Sequence, residues 1–104
     1  MIRARFTRVD RTIRKVTIRG HAKQNEAGKD IVCAAISTAI IVTMNALERL
    51  GRNDRYTCTL EEGYFQVTVN RSDEIVEGLL ANLEHTVRDI ENDYPKYVNY
   101  QKEE

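Results

Sequence analysis

Residues 30–51 read DIVCAAISTAIIVTMNALERLG, and this stretch decides the fold. Apolar residues occupy nearly every face of the helix it would form, an aspartate opens the run and a glycine closes it. Because Asp is a favoured N-cap and Gly commonly follows the last helical turn, we predict a helix from Asp30 to about Leu50. A helix this apolar has to be covered on more than one side. A β-sheet can cover one side, and a partner subunit is a candidate for the other.

Short alternating segments lie on both sides of this helix in the sequence. Residues 2–8 and 12–19 alternate apolar and polar side chains, which is the period of a half-buried strand, and we predict that they form a hairpin. Residues 55–61 and 64–70 show the same alternation around a Glu-Gly turn and predict a second hairpin.

The last third of the chain predicts a second helix, which we expect Ser72 to cap and Tyr94-Pro95 to end. Its apolar stripe consists of Ile75, Leu79, Leu83, Val87 and Ile90. The predicted order is strand, strand, helix, strand, strand, helix. This order is typical of an α+β two-layer sandwich with the helices packed on one face of a mainly antiparallel sheet. A length of 104 residues predicts a single domain, residues 1–104.

The composition excludes several classes of protein. A hydrophobic fraction of 41% and a charged fraction of 31% are typical of a soluble globular domain. Two cysteines are too few for a disulfide scaffold and fit a reducing compartment. The N-terminus lacks the apolar region of a secretory signal, and the longest uncharged run, residues 31–47, is short and polar for a bilayer span. We therefore expect a cytoplasmic protein that does not associate with membranes.

The charge is balanced overall but unevenly distributed. A net charge of zero argues against a general nucleic-acid binder. Residues 1–20 nevertheless carry seven basic residues against one acid, and residues 72–104 carry nine acids against three basic residues. Two solvated faces that attract each other would explain this asymmetry. A basic docking surface on the first strands is the sharper interpretation.

Four side chains could act as soft metal ligands or nucleophiles: His21, Cys33, Cys58 and His85. Their spacing matches no structural zinc motif, so we expect neither a metal nor a cofactor. We predict that His85 lies on the surface of the second helix. We predict that Cys58 is a small buried hydrophobic residue of a strand.

Cys33 occupies a position that favours catalysis. With Asp30 as the N-cap, Cys33 would be the third residue of the helix, where free amides and the positive end of the dipole favour a thiolate. His21 ends the preceding strand, so its imidazole could take the thiol proton and return it to a leaving amine. The free amides would also offer an oxyanion site. A cysteine packed in an apolar helix and a histidine in a loop are the alternative explanation.

Two segments resemble the signature of the ribosomal-processing cysteine protease family (Prp, YsxB-like). Residues 20–22 read GHA and residues 28–37 read GKDIVCAAIS, which together give the pattern GHA-x5-GxDIVCAAxS with fixed gaps. The resemblance implies an endopeptidase that removes the N-terminal extension of a bacterial large-subunit ribosomal protein. The implied substrate is therefore a peptide segment cut after an aromatic-rich stretch, and the implied assembly is a homodimer.

The resemblance also implies roles for individual residues. Cys33 corresponds to the nucleophile and His21 to the base. Asp30 matches the motif aspartate, either as a helix cap or as the group that orients His21. Ser37 lies one turn beyond Cys33 on the same helix face, where it would line the site or bond a backbone carbonyl.

Two glycines of the signature support the site. Gly20 precedes the histidine, and Gly28 with the loop around it, residues 22–29, resembles the movable cover of the family. Tyr56, Tyr64 and Phe65 are candidates for an aromatic substrate pocket and are equally well explained as core residues.

The alternative function is a non-catalytic ribosome- or RNA-associated binding module. Basic residues of the first strands would then contact RNA phosphates: Arg3, Arg5, Arg8, Arg14 and Arg19. The chain lacks the aromatic-glycine signature of an RNA-recognition motif, so we expect a peptide substrate and no direct nucleic-acid partner. A redox-sensing thiol protein has little support, because no second cysteine is near Cys33 in the sequence.

Overall fold

A computed structural model describes residues 1–20 and 27–104, and of residues 27–30 the backbone only. Seven main elements follow one another: β1 (Ile2–Val9), β2 (Thr12–Arg19), α1 (Ala27–Arg49), β3 (Tyr56–Glu61), β4 (Tyr64–Val69), α2 (Glu74–Asp93) and β5 (Val98–Glu103). The strands form one sheet in the order β3-β4-β2-β1-β5, and only the β1–β5 pair is parallel. This arrangement confirms the predicted α+β sandwich with a mainly antiparallel sheet.

The β1–β2 hairpin is built as its sequence predicts. Its turn residues Asp10 and Arg11 both have positive φ, at 53° and 68°, which matches the turn type that suits the twist of paired strands. The inward-facing residues of the two strands are fully buried: Ile2, Ala4, Phe6, Ile13, Val16 and Ile18. The register shifts between Thr7 and Arg8, and this bulge lets Ile13 and Val16 share the buried face although three positions separate them.

Helix α1 ends where the sequence predicts and begins earlier. Gly51 adopts a φ of 74° and donates to the carbonyl of Glu48, while Arg52 donates to the carbonyl of Leu47, so the end is closed by a Schellman motif. The predicted N-cap at Asp30 is wrong, because the helix starts at Ala27 and Asp30 is its fourth residue. An aspartate is also favourable inside the first turn, near the positive end of the dipole, so it does not fix the boundary.

Only one side of α1 is covered by the sheet. The covered side carries Val32, Ile36, Ile40, Thr43 and Leu47, all buried. On the opposite side Ile31, Ile41 and Val42 are 57%, 48% and 61% exposed. The expectation that the sheet covers one face of an over-apolar helix is therefore confirmed, and a second apolar face remains open in the single chain.

By length and composition alone, α1 could also cross a membrane. Within the described residues it is the one helix that passes this test, over Ile31–Arg49, with a mean hydropathy of 1.8. The sequence-based expectation that this segment is too short and too polar for a span is therefore not met. Core helices of soluble proteins pass the same test, and α1 lays its buried side against a sheet.

Helix α2 is capped by Asp73 and not by Ser72. The Asp73 carboxylate accepts the backbone N–H of Val76 at 2.8 Å and also accepts from Arg52 at 2.7 Å. These two donors, the Val76 N–H first, hold the pKa of Asp73 below its ordinary value. The helix ends before Pro95 as predicted. Its fully buried apolar residues are Val76, Leu80, Leu83 and Val87, whereas Ile75, Leu79 and Ile90 are half-buried.

Strand β5 is an element that the sequence did not predict. It runs parallel to β1 at the sheet edge, with Ile2 opposite Val98 and Thr7 opposite Glu103. Val98 is buried, and the Tyr100 ring lies 5.9 Å from the Phe6 ring. Its segment, VNYQKE, offers only two apolar residues, so the local pattern is too weak to indicate a strand.

A charged cluster beneath this edge joins β1, α2 and β5. Arg8 donates two hydrogen bonds to the buried Glu84 carboxylate at 2.8 and 2.7 Å, and the Tyr100 hydroxyl donates a third at 2.7 Å. The Arg8 hydrogen bond, against the opposing effect of burial, holds the pKa of Glu84 below its ordinary value. Burial and Glu84 raise the pKa of Tyr100 to about 12.

Candidate active site

A groove of about 240 Å³ lies between α1 and the β3–β4 hairpin. From α1 it is lined by Cys33, Ile36, Ser37, Ile40 and Ile41, and from the strands and turns by Ile2, Ile18, Gly20, Leu60, Glu61, Gly63, Tyr64 and Phe65. Cys33 is partly buried and packs against the core, and Ser37 is exposed one turn further along. The groove therefore brings together three residues of the predicted signature: Gly20, Cys33 and Ser37.

Gly20 is required by the way β2 ends at this groove. Its φ is 106°, and a Cβ at this position would lie 2.3 Å from the Met1 carbonyl oxygen. Its N–H donates to the carbonyl of Gly63 at 3.0 Å, which ties the strand end to the β3–β4 turn. The GHA segment thus needs a glycine at this position because of backbone contacts with Met1 and Gly63. The following residue, His21, lies outside the described residues, as do residues 22–26.

The other predicted site positions lie in α1. The predicted loop covered residues 22–29, but residues 27–29 are helical, so Gly28 belongs to the first turn of α1. The side chain of Asp30 lies outside the described residues. Cys33 is the seventh helical residue, whereas only the first four N–H groups of a helix lack helical partners. The argument that placed Cys33 among free amides is therefore wrong, because the first helical residue is Ala27, four positions before the one that an N-cap at Asp30 predicts.

Cys58 is exposed, which contradicts its predicted burial. It pairs with the buried Val67 and shares its face, but β3 is the sheet edge and α1 does not cover it; Leu60 is 54% exposed on the same strand. Partial burial of the Cys58 thiol nevertheless raises its pKa. His85 is exposed as predicted and lies 3.4 Å from Asp89.

The two other chemical expectations concern metals and aromatic residues. Among the side chains of residues 1–20 and 31–104, no three His, Cys, Asp or Glu residues come together as a metal site. Phe65 is 1% exposed and lines the groove, while Tyr56 is half-buried outside it. Tyr64 also lines the groove. The Arg19 guanidinium lies 5.7 Å from the centre of its ring, and its hydroxyl donates to the side-chain oxygen of Gln66 at 2.9 Å.

The apolar wall of the groove is mainly aliphatic, and the sequence reasoning missed it. Its aliphatic residues are Ile2, Ile18, Ile36, Ile40, Ile41 and Leu60. Ile36 and Ile40 are spaced like Cys33 and Ser37, so the helical period was the signal that could have placed them beside the cysteine.

The basic residues of the alternative function are divided between two environments. Arg3, Arg5 and Arg19 are exposed on the sheet face opposite the helices. Arg14 is also exposed. Arg8 is not available for an external partner, because both of its terminal guanidinium nitrogens donate to the Glu84 carboxylate.

Comparison with known proteins shows the family of this chain. The family model described as cysteine protease Prp matches residues 1–99. The chain belongs to this family. A protein of Streptococcus mutans with a crystal structure is 31% identical, with a TM-score of 0.85 over 99% of this chain and 94% of that one. No match was found among the curated proteins.

Two further structures are Prp enzymes with bound peptides. The essential ribosomal processing protease Prp of S. aureus, in complex with a covalently linked product peptide, is 25% identical, with a TM-score of 0.86 over 99% of this chain and 100% of that one. The structure of the same protease with a substrate peptide is 23% identical at a TM-score of 0.84, over 99% and 100% of the two chains, and shows the fold alone. Membership of the Prp family confirms the resemblance of the GHA and GKDIVCAAIS segments and supports a peptidase activity.

Proposed function

We propose that this chain is a cysteine endopeptidase in which Cys33 is the nucleophile and His21 the general base. The observation that carries the proposal is the position of Cys33 in the groove beside α1. The chain has only one other cysteine, Cys58, which is absent from this groove and whose raised pKa disfavours the reactive thiolate. Gly20 lines the same groove and directly precedes His21 in the chain.

The reaction follows the chemistry of an activated thiol. The Cys33 sulfur attacks the peptide carbonyl carbon while His21 takes the thiol proton. His21 then gives this proton to the leaving amine as the C–N bond breaks, which leaves a thioester on Cys33. A water molecule loses a proton to His21 and attacks the thioester, and the acid product leaves as the thiol regains its proton.

His21 has to supply most of the activation. Cys33 lies in the second turn of α1, and the effect of the helix dipole falls off within the first turn. An imidazolium beside the sulfur is the stronger means of holding a thiolate at neutral pH. We assign Asp30 the role of orienting His21 and Ser37 that of lining the substrate groove, one turn beyond the nucleophile.

For the substrate we propose the N-terminal extension of a bacterial large-subunit ribosomal protein. The S. aureus relative, 25% identical to this chain, is a ribosomal processing protease crystallised with a covalently linked product peptide. The groove of about 240 Å³ has room for peptide side chains, and its aliphatic wall favours an apolar or aromatic residue beside the cut. Ribosomal proteins are made in the cytoplasm, so we place the activity there.

We also propose a homodimer that covers the open side of α1. Ile31 and Val42 lie on one stripe of this helix and are more than half exposed. Light scattering should give the mass of a dimer for the wild type and a monomer for Val42→Glu, because the new carboxylate would be buried without a partner. Lys96→Glu, at an exposed position after α2, is the control and should leave the dimer intact. A wild-type monomer at micromolar concentration would contradict the assembly.

The activity is tested with a synthetic peptide that spans the ribosomal extension, its products being identified by mass spectrometry. We expect a single cut with the wild type, and none with Cys33→Ala or His21→Ala. Cys58→Ala is the matched control, because it removes the other thiol, and it should cut at the wild-type rate. Cleavage that survives Cys33→Ala, or that is lost with Cys58→Ala, would reject the assignment of the nucleophile.

A further inference from the structure

The sheet face opposite the helices is uncovered, and its centre is basic. Arg3 and Arg5 of β1 and Lys15 and Arg19 of β2 surround a shallow cavity of about 260 Å³, and we call these four residues the basic sheet face. The remaining residues of the cavity are Ala4, Thr17, Gln66, Gln101 and Glu103, so that one acid stands against four cations. This local excess is hidden by the net charge of zero.

Two cations of the basic sheet face repel each other. Arg3 and Arg19 are direct cross-strand partners, an arrangement in which like charges destabilise a sheet. Among the side chains of residues 1–20 and 31–104, no carboxylate lies within ion-pair distance of Arg3, Arg19 or Lys15. Arg5 has a single long pair with Glu103 at 3.9 Å. An anion bound here would relieve this repulsion.

Two arginines away from this face are neutralised within the fold. Arg8 lies 2.7 Å from the Glu84 carboxylate, and Arg52 lies 2.7 Å from that of Asp73. These two guanidinium groups are therefore not available to an external anion, whereas those of the basic sheet face are.

We propose that the basic sheet face binds the phosphate backbone of RNA. Guanidinium groups donate paired hydrogen bonds to phosphate oxygens, and three of the four cations are arginines. The lining of this cavity is mainly polar and positively charged, which is typical of nucleic-acid interfaces. The Arg19 guanidinium lies over the Tyr64 ring, and the Tyr64 hydroxyl donates to Gln66. The ring is therefore not free to stack on a base, and we assign the RNA contacts of this face to phosphates.

The choice of RNA over other polyanions rests on the proposed function, since RNA accompanies the ribosomal proteins that this chain would process. Binding is measured without any peptide, so a failure of RNA binding and a failure of cleavage are distinguishable. The proposal departs from the sequence-based expectation of no direct nucleic-acid partner, which was based on the net charge of zero and on the missing aromatic-glycine signature.

The test is the fluorescence anisotropy of a labelled oligouridylate, titrated with the full chain between roughly 50 and 200 mM salt. Three to four neutralised phosphates predict a slope of log affinity against log salt of about −2 to −3, which weakens binding roughly 15- to 60-fold over this range. The double variant Arg3→Gln/Arg19→Gln should reduce the slope by about 1.4 and weaken binding at least tenfold. Arg3→Lys/Arg19→Lys keeps both charges and should retain the slope.

The control is Arg49→Gln/Lys96→Gln, which removes two exposed charges away from this face and should bind as the wild type does. The proposal is overturned if the wild type does not bind RNA at low salt, or if the two Gln pairs weaken binding equally. It is also overturned if polyglutamate or phosphatidylserine vesicles bind in place of RNA with the same dependence on Arg3 and Arg19. Circular dichroism confirms that each variant is folded before its binding is compared.

Discussion

Replacing Gly20 with alanine should disrupt the backbone contacts at the end of β2, beside the groove. The φ of 106° places an L-residue in a strained backbone region, which costs about 1–3 kcal/mol. The added Cβ would meet the Met1 carbonyl oxygen at 2.3 Å, so one of the two backbones has to move. If this movement breaks the hydrogen bond to Gly63, a further cost of about 1 kcal/mol follows. The sum of roughly 2–4 kcal/mol corresponds to a fall in Tm of at least about 10 °C for a domain of this size.

Thermal unfolding of three glycine-to-alanine variants tests this reasoning. Gly51 has a φ of 74° with open space around it, so alanine should cost only about 1 kcal/mol. Gly78 lies in α2, also with open space, and alanine should stabilise the chain by about 0.5–1 kcal/mol. Peptide cleavage should fall most in Gly20→Ala, because His21 follows Gly20. A Gly20→Ala variant no less stable than Gly51→Ala would refute the role given to the backbone contacts of Gly20.

Three further predictions concern charges. Arg8 holds the pKa of Glu84 below its ordinary value of 4.5, so the stabilisation from the ionised Glu84 is complete above pH 4.5 and is lost as the pH falls through the pKa of the folded state. The Glu84→Gln variant should lose roughly 3 kcal/mol of unfolding free energy at neutral pH, and its stability in urea titrations should depend less on acid pH. Parallel pH profiles of the wild type and the variant would contradict this prediction. Burial and Glu84 raise the pKa of Tyr100 to about 12, so the contribution of the Tyr100 hydroxyl to stability is complete below pH 10 and disappears between pH 10 and 12. The Tyr100→Phe variant should lack this alkaline loss of Tm. Arg3→Gln should raise the free energy of unfolding by about 0.2–1 kcal/mol at low salt, since it removes the repulsion with Arg19, and a destabilised variant would count against that repulsion.

Local patterns were sufficient to predict most of the fold. The alternation of Ile2, Ala4 and Phe6, all buried, gave the strand and its inward face. Gly51 gave the end of α1, because its left-handed conformation closes the helix. Such features depend on the residues beside them in the chain and are therefore readable without a structure.

Features that depend on distant residues were not readable in this way. Strand β5 is recognisable only through its pairing with β1, almost a whole chain away. The exposure of Cys58 depends on β3 being the edge strand, which the alternation along one strand does not reveal. The start of α1 depends on a competition between the N-cap and first-turn positions for Asp30, and both suit an aspartate.

The candidate site also combines features that a local pattern predicts with features that depend on distant residues. Cys33 and Ser37 are one helical turn apart, so the sequence predicted that they share a face, and both line the groove. The opposite wall comes from the β3–β4 hairpin, which only the folded sheet brings to α1. The requirement for glycine at position 20 arises from contacts with Met1 and Gly63, which no local pattern shows.

The rate of alkylation of Cys33 by iodoacetamide at pH 6, measured by mass spectrometry in the wild type and in His21→Ala, tests the central claim most directly. An unperturbed cysteine is only about 0.3% thiolate at this pH, so loss of the imidazole should slow the labelling of Cys33 by on the order of a hundredfold. Cys58, with its raised pKa, serves as the internal reference and should react slowly in both proteins. Equal rates at Cys33 with and without His21, or equally slow labelling of both cysteines in the wild type, would contradict the account.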